Sequence, residues 1–111
     1  MLFTRSVLVP SSNTVANGSI GIDSEADDIS VTSNKIFGST TGILSFTSVP
    51  AIQSNTITDS PIGIDLFCNA NSNVHSNILT DVGIALYRLL PAMDTSNTYF
   101  NVGTIRARDG C

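Results

Sequence analysis

The chain has 111 residues, 41% of them hydrophobic, and a net charge of −4 with only 13% charged side chains. Its five cationic residues, Arg5, Lys35, Arg88, Arg106 and Arg108, form no basic patch, which excludes nucleic-acid binding by phosphate neutralisation; no apolar run reaches the ~18 residues that span a bilayer. Polarity comes instead from 15 Ser, 12 Thr and 10 Asn, and the regular Ile, Val and Gly between them argue for a packed fold over disorder.

Met1 to Pro10 is apolar around Arg5, but too short and too broken for a signal peptide. No helical cap is legible in Met1 to Ser11. A repeat then begins. Ser12-Asn13-Thr14-Val15-Ala16-Asn17-Gly18-Ser19-Ile20-Gly21-Ile22-Asp23 returns as Ser54-Asn55-Thr56-Ile57-Thr58-Asp59-Ser60-Pro61-Ile62-Gly63-Ile64-Asp65. The Ser-Asn pair places Asn13, Asn34, Asn55, Asn77 and Asn97 at spacings of 21, 21, 22 and 20. Gly21, Gly42, Gly63, Gly83 and Gly103 follow at spacings of 21, 21, 20 and 20. A constant period of this size marks units that bury their faces only against their neighbours.

Within each repeat the pattern predicts short strands and no helix. One strand precedes the Asn, on Val31, Ile52 and Val74. An apolar point follows it at Val15, Ile36, Ile57, Ile78 and Tyr99. A third strand surrounds the Gly, where alternation puts Ile20, Ile22, Ile43, Ile62, Ile64, Leu66, Val82, Ile84, Leu86 and Val102 inward. The same alternation puts Gly63, Asp65 and Phe67 outward.

Stacked at the ~4.8 Å strand spacing, such units make a coil of β-structure. Its Asn column is expected to occupy left-handed turns and to bond amide to amide from rung to rung. A leucine-rich repeat has a similar period but needs Leu-rich spacing and a helical return segment, which the β-branched residues here do not provide.

The pattern N-x-I followed by G-I-x-L, from Asn13 to Gly103, resembles the right-handed parallel β-helix repeat of the pectate-lyase-like superfamily. The resemblance implies an all-β, right-handed parallel β-helix (β-solenoid) of about five rungs with 20–22 residues each. It also implies an extracellular or cell-surface setting. Residues 1–111 read as one domain cut from a longer protein. The superfamily holds lyases, hydrolases, adhesins and repeats without known activity, so the fold leaves function open.

Several groups are candidates for chemistry. Asp23, Glu25, Asp27 and Asp28 are acidic enough for Ca²⁺, but match neither an EF-hand nor a β-roll, and read as a solvated turn. Asp59 and Asp81 fall at matching places on adjacent rungs, near the places of Asn17 and Asn101, and read as turn residues. With Arg88 they would make an acid/base set for a sugar, but none of the superfamily's N-T-D, G-H-G or R-I-K signatures is present. His75 has no second His or nearby Cys with which to build a zinc site or triad. Cys68 and Cys111 lie about two rungs apart, too far for a disulfide, and are expected as free thiols. No catalytic residue, metal site or cofactor is expected.

Four residues after each Gly stand Glu25, Phe46, Phe67, Tyr87 and Ala107. An outward aromatic column on three rungs, with Asp65 and Arg88 beside it, is a platform for sugar rings. A structural stack under the segments Thr47 to Ala51 and Leu89 to Met93 is the plainer reading. The sequence therefore points to a non-enzymatic scaffold or carbohydrate-binding module, with polysaccharide as partner and Phe46, Phe67, Tyr87, Asp65 and Arg88 as binding residues. A fragment of a polysaccharide lyase or hydrolase is the alternative. Ice binding through a Thr face is weaker, because no Thr column persists. Uncapped strand edges also predict end-to-end self-association.

Overall fold

The computed structural model describes residues 2–3, 11–24, 30–45, 51–67, 73–88 and 93–107. Every described element is a strand: β1 (Leu2–Phe3), β2 (Thr14–Ala16), β3 (Ile20–Ser24), β4 (Val31–Thr32), β5 (Lys35–Phe37), β6 (Thr41–Ser45), β7 (Ala51–Gln53), β8 (Thr56–Asp65), β9 (Asn73–His75), β10 (Ile78–Tyr87), β11 (Met93–Thr95) and β12 (Thr98–Ala107). They pair in parallel throughout. One sheet runs β1-β3-β6-β8-β10-β12, with β2 and β5 joining it through β8, and the other runs β11-β9-β7-β4. This is a parallel β-solenoid. The larger face stacks β3, β6, β8, β10 and β12 and the smaller face β4, β7, β9 and β11, in about three turns.

The inner columns follow from β-branched side chains stacked on themselves. Val31, Ile52 and Val74 align on the smaller sheet and are fully buried. Ile22, Ile43, Ile64 and Leu86 align on the larger sheet and are fully buried too. A third column is Val15, Ile36, Ile57, Leu79 and Tyr99. Leu79, not Ile78, fills this column on the fourth rung, and Ile78 is 42% exposed.

The chain turns at two columns of left-handed residues. Ser12, Ser33, Ser54, Ser76 and Ser96 all have φ between 57° and 59°. The left-handed residue is thus the Ser of each Ser-Asn pair and not, as expected, the Asn. The second corner is Asn17, Gly38, Asp59, Asp81 and Asn101, with φ between 51° and 74°. Short polar side chains and Gly tolerate this conformation best, which accounts for Asp59 and Asp81 without any catalytic role.

Two expectations about the Gly column change. Gly21, Gly42 and Gly63 do not face outward but are buried, whereas Gly83 and Gly103 are exposed. A Cβ on Gly42 would lie 2.6 Å from the Gly63 carbonyl oxygen and 2.9 Å from Ile57 Cγ2, so the strand passes too close to the core for any side chain. Nor do the five stack. The register pairs Ser60 with Val82 and Ile62 with Ile84, which sets Gly83 over Pro61, while a Cβ on Gly63 would meet the Ala85 carbonyl.

Candidate functional site

The Asn column is a continuous side-chain ladder. The backbone N–H and Nδ2 of Asn13 both donate to Asn34 Oδ1 at 3.0 Å, and those of Asn34 donate to Asn55 Oδ1 at 3.0 Å. The same pair of bonds joins Asn55 to Asn77 at 2.9 and 3.0 Å, and Asn77 to Asn97 at 2.9 Å. The second Nδ2 hydrogen closes onto the smaller sheet: Asn55 on the Val31 carbonyl, Asn77 on that of Ile52 and Asn97 on that of Val74. Asn34, Asn55 and Asn77 are fully buried. A buried carboxamide with both donors and its oxygen engaged has its desolvation cost offset by those bonds. The ladder ties the corner between the sheets and leaves no group for a ligand.

The exposed chemistry lies at the far end of the larger sheet. β8 ends at Asp65, which pairs in register with Tyr87 at the end of β10. The Leu66 N–H donates to the Tyr87 carbonyl at 2.9 Å, and then Phe67 and Arg88 both turn left-handed, with φ of 48° and 54°. Neither residue type favours that conformation, and it throws both side chains back over Asp65. Asp65 Oδ1 accepts from the Phe67 N–H at 3.0 Å and from Arg88 Nε at 2.9 Å, while Oδ2 accepts from Arg88 Nη2 at 2.5 Å. The Arg88 guanidinium lies flat enough to sit 3.9 Å from the Phe67 ring centre and 5.3 Å from that of Tyr87. The result is a two-pronged ion pair roofing an aromatic ring.

Asp65 is nearly buried, with a side chain 7% exposed, whereas Arg88 keeps 24% and Phe67 39%. The hydrogen bonds that Arg88 donates to Asp65 raise its pKa above its already high value, against the opposing pull of desolvation. Arg88 is therefore a permanent cation, neutralised on one side by Asp65.

Of the five binding residues expected, the fold gathers Asp65, Phe67, Tyr87 and Arg88; Phe46 lies outside the described residues. The aromatics are not a stacked column, because Tyr87 stacks on Asp65 and Phe67 falls beyond it. Glu25, Asp27, Asp28, Cys68, Cys111 and most of the expected covering segments also lie outside the described residues. Asp23 lies in β3, its Cα paired with those of Leu2 and Leu44. Asp59 and Asp81 hold the second corner, where Asn101 Nδ2 donates to Asp81 Oδ1 at 2.7 Å; the ion pair of Arg88 is with Asp65. His75 is half-buried, its Nδ1 3.2 Å from Ser76 Oγ. Among the described residues no three His, Cys, Asp or Glu side chains stand close enough to hold a metal ion, and no helix is long and apolar enough to cross a membrane.

Two exposed aromatics escaped the sequence reading. Phe37 and Phe100, 45% and 56% exposed, share an outward column with Ala16, Thr58 and Thr80. The three-residue offset from each Asn was their signal. Thr occupies only part of this face, so no unbroken Thr column exists there.

Comparison with protein-family profiles, with curated proteins and with solved structures gave no match. The chain is, as a class, a parallel β-solenoid.

Proposed function

We propose that the chain is a non-enzymatic β-solenoid module of a secreted or surface protein, of the right-handed, pectate-lyase-like kind, and that it binds carbohydrate. The observation that supports binding is the clamp of Arg88 on Asp65 above Phe67. It holds a guanidinium rigid at the surface with N–H groups beyond the two spent on Asp65. Such donors suit sugar hydroxyl or carboxylate oxygens, and the Phe67 and Tyr87 edges beside them suit the C–H face of a pyranose. The rigid coil beneath keeps this geometry without an ordering cost on binding.

A glycan-array screen of the isolated chain, run beside an assay for released unsaturated sugars, tests the reading. Retention of a glycan without cleavage, lost in Arg88→Ala and Phe67→Ala variants that still fold, is the expected result. Cleavage of a polysaccharide would replace the module with the lyase alternative, and the absence of any bound glycan would remove the carbohydrate reading.

A further inference from the structure

The clamp on Asp65 uses only part of Arg88. Asp65 takes the Nε hydrogen at Oδ1 and one Nη2 hydrogen at Oδ2. The other Nη2 hydrogen and both Nη1 hydrogens are not spent on this pair, and the side chain keeps 24% exposure. They form a second fork, on the edge of the guanidinium next to the one that Asp65 holds. That fork is fixed in place, because Asp65 grips the guanidinium from the side and the Phe67 ring lies 3.9 Å beneath it.

A planar fork of N–H groups fits two neighbouring oxygens. Among sugars, two groups supply such a pair: the carboxylate of a uronic acid, and two adjacent hydroxyls of a neutral ring. Charge separates them. The Asp65 side chain is only 7% exposed, so water screens its carboxylate weakly. It has already neutralised the guanidinium. A uronate on the second fork would be a second anion on one cation, in a chain of net charge −4. A diol accepts the same bonds without that repulsion.

We propose that the clamp selects neutral sugars presenting two adjacent hydroxyls, and that Asp65 is the residue that excludes uronic acids. The proposal rests on the carbohydrate reading above and narrows it. Asp65 holds the fork still and cancels its charge. Selectivity then comes from the penalty on the wrong ligand rather than from an extra contact with the right one.

Titration of the full chain with paired oligosaccharides is the test, each neutral hexose chain set beside the uronic acid chain of the same linkage and stereochemistry, with thermal melting to confirm that each variant is folded. The wild type should bind the neutral member about tenfold more tightly. It should also prefer linkages that leave two adjacent hydroxyls on each ring over those that remove the pair. Asp65→Asn keeps an oxygen for the Phe67 N–H but removes the anion, and should raise uronate affinity about tenfold while changing neutral binding less. Arg88→Lys keeps the charge without the fork, and should lose the neutral sugar. If Asp65→Asn fails to fold, the wild-type pairs and Arg88→Lys decide the matter. A wild type that prefers uronates, or a folded Asp65→Asn with no gain for them, would overturn the proposal and leave the carbohydrate reading standing. Silence toward every oligosaccharide would overturn both.

Discussion

Replacing Asn55 with Ala removes the centre of the ladder, and the cost can be worked bond by bond. The side chain accepts from the N–H and Nδ2 of Asn34 and donates to the Val31 carbonyl and to Asn77 Oδ1, in four bonds of 3.0 Å each. Asn34, Asn55, Asn77 and Val31 are fully buried, so water cannot replace what is lost. At about 0.5–1.5 kcal/mol net per bond, the four amount to about 2–6 kcal/mol. That is a large share of the roughly 5–15 kcal/mol that holds an ordinary domain folded. In a chain of this size it should lower the melting temperature by about 10–25 °C. Circular dichroism with heat and with urea measures it. The comparison is Asn73→Ala, an exposed residue in β9, which should change stability by less than about 0.5 kcal/mol. Equal midpoints for the two variants would refute the reasoning, because they would mean that the ladder contributes nothing.

Asn55→Asp keeps the acceptor but turns a second oxygen toward the Val31 and Asn77 oxygens; its buried carboxyl should have a folded pKa raised above the unfolded ~3.9, so the variant loses stability as pH rises through that interval and recovers it in acid, as melts from pH 3 to 8 would show. Gly42→Ala should cost about 1–3 kcal/mol by overpacking against Ile57 and the Gly63 carbonyl, whereas Gly18→Ala, whose added Cβ would lie 3.3 Å from the Ile20 carbonyl oxygen, should cost less in the same denaturation. Ser54→Val forces a β-branched residue to hold φ 57° and should cost about 1–2 kcal/mol, while Ser54→Gly should not; similar values for both would dismiss the left-handed corner. Arg88→Ala leaves the nearly buried Asp65 carboxylate with only the Phe67 N–H and should cost about 1–3 kcal/mol at neutral pH, with little dependence on salt because the pair is partly shielded from solvent.

Much of this was legible because the solenoid repeats its own contacts. Each Asn meets another Asn, so the spacing of one residue type revealed both a column and its partner. Val31, Ile52 and Val74 announced the smaller sheet in the same way. Two of the misreadings share one cause. The rung from Asn55 to Asn77 is 22 residues long, while Gly63 and Gly83 are 20 apart. Counting from glycines slips the register by two residues on that rung, and in a strand even one residue exchanges inside for outside. Gly83 therefore fell on Pro61 and Tyr87 on Asp65 rather than Phe67; Leu79 took the place expected of Ile78 for a separate reason, because it keeps the two-residue offset from Asn77 that Ile57 keeps from Asn55. The ladder sets the register, and the glycines do not. The clamp of Arg88 on Asp65 was not legible, since it depends on two left-handed residues, Phe67 and Arg88, whose types give no sign of that conformation.

The most direct test of the coil is hydrogen exchange at the asparagine side chains, followed by nuclear magnetic resonance. In the parallel stack the Nδ2 hydrogens of Asn34, Asn55 and Asn77 are buried between rungs and should exchange far more slowly than that of Asn101, which is bonded at the exposed second corner. Exchange of all four at the rate of exposed carboxamides would contradict the ladder and the rung register built on it.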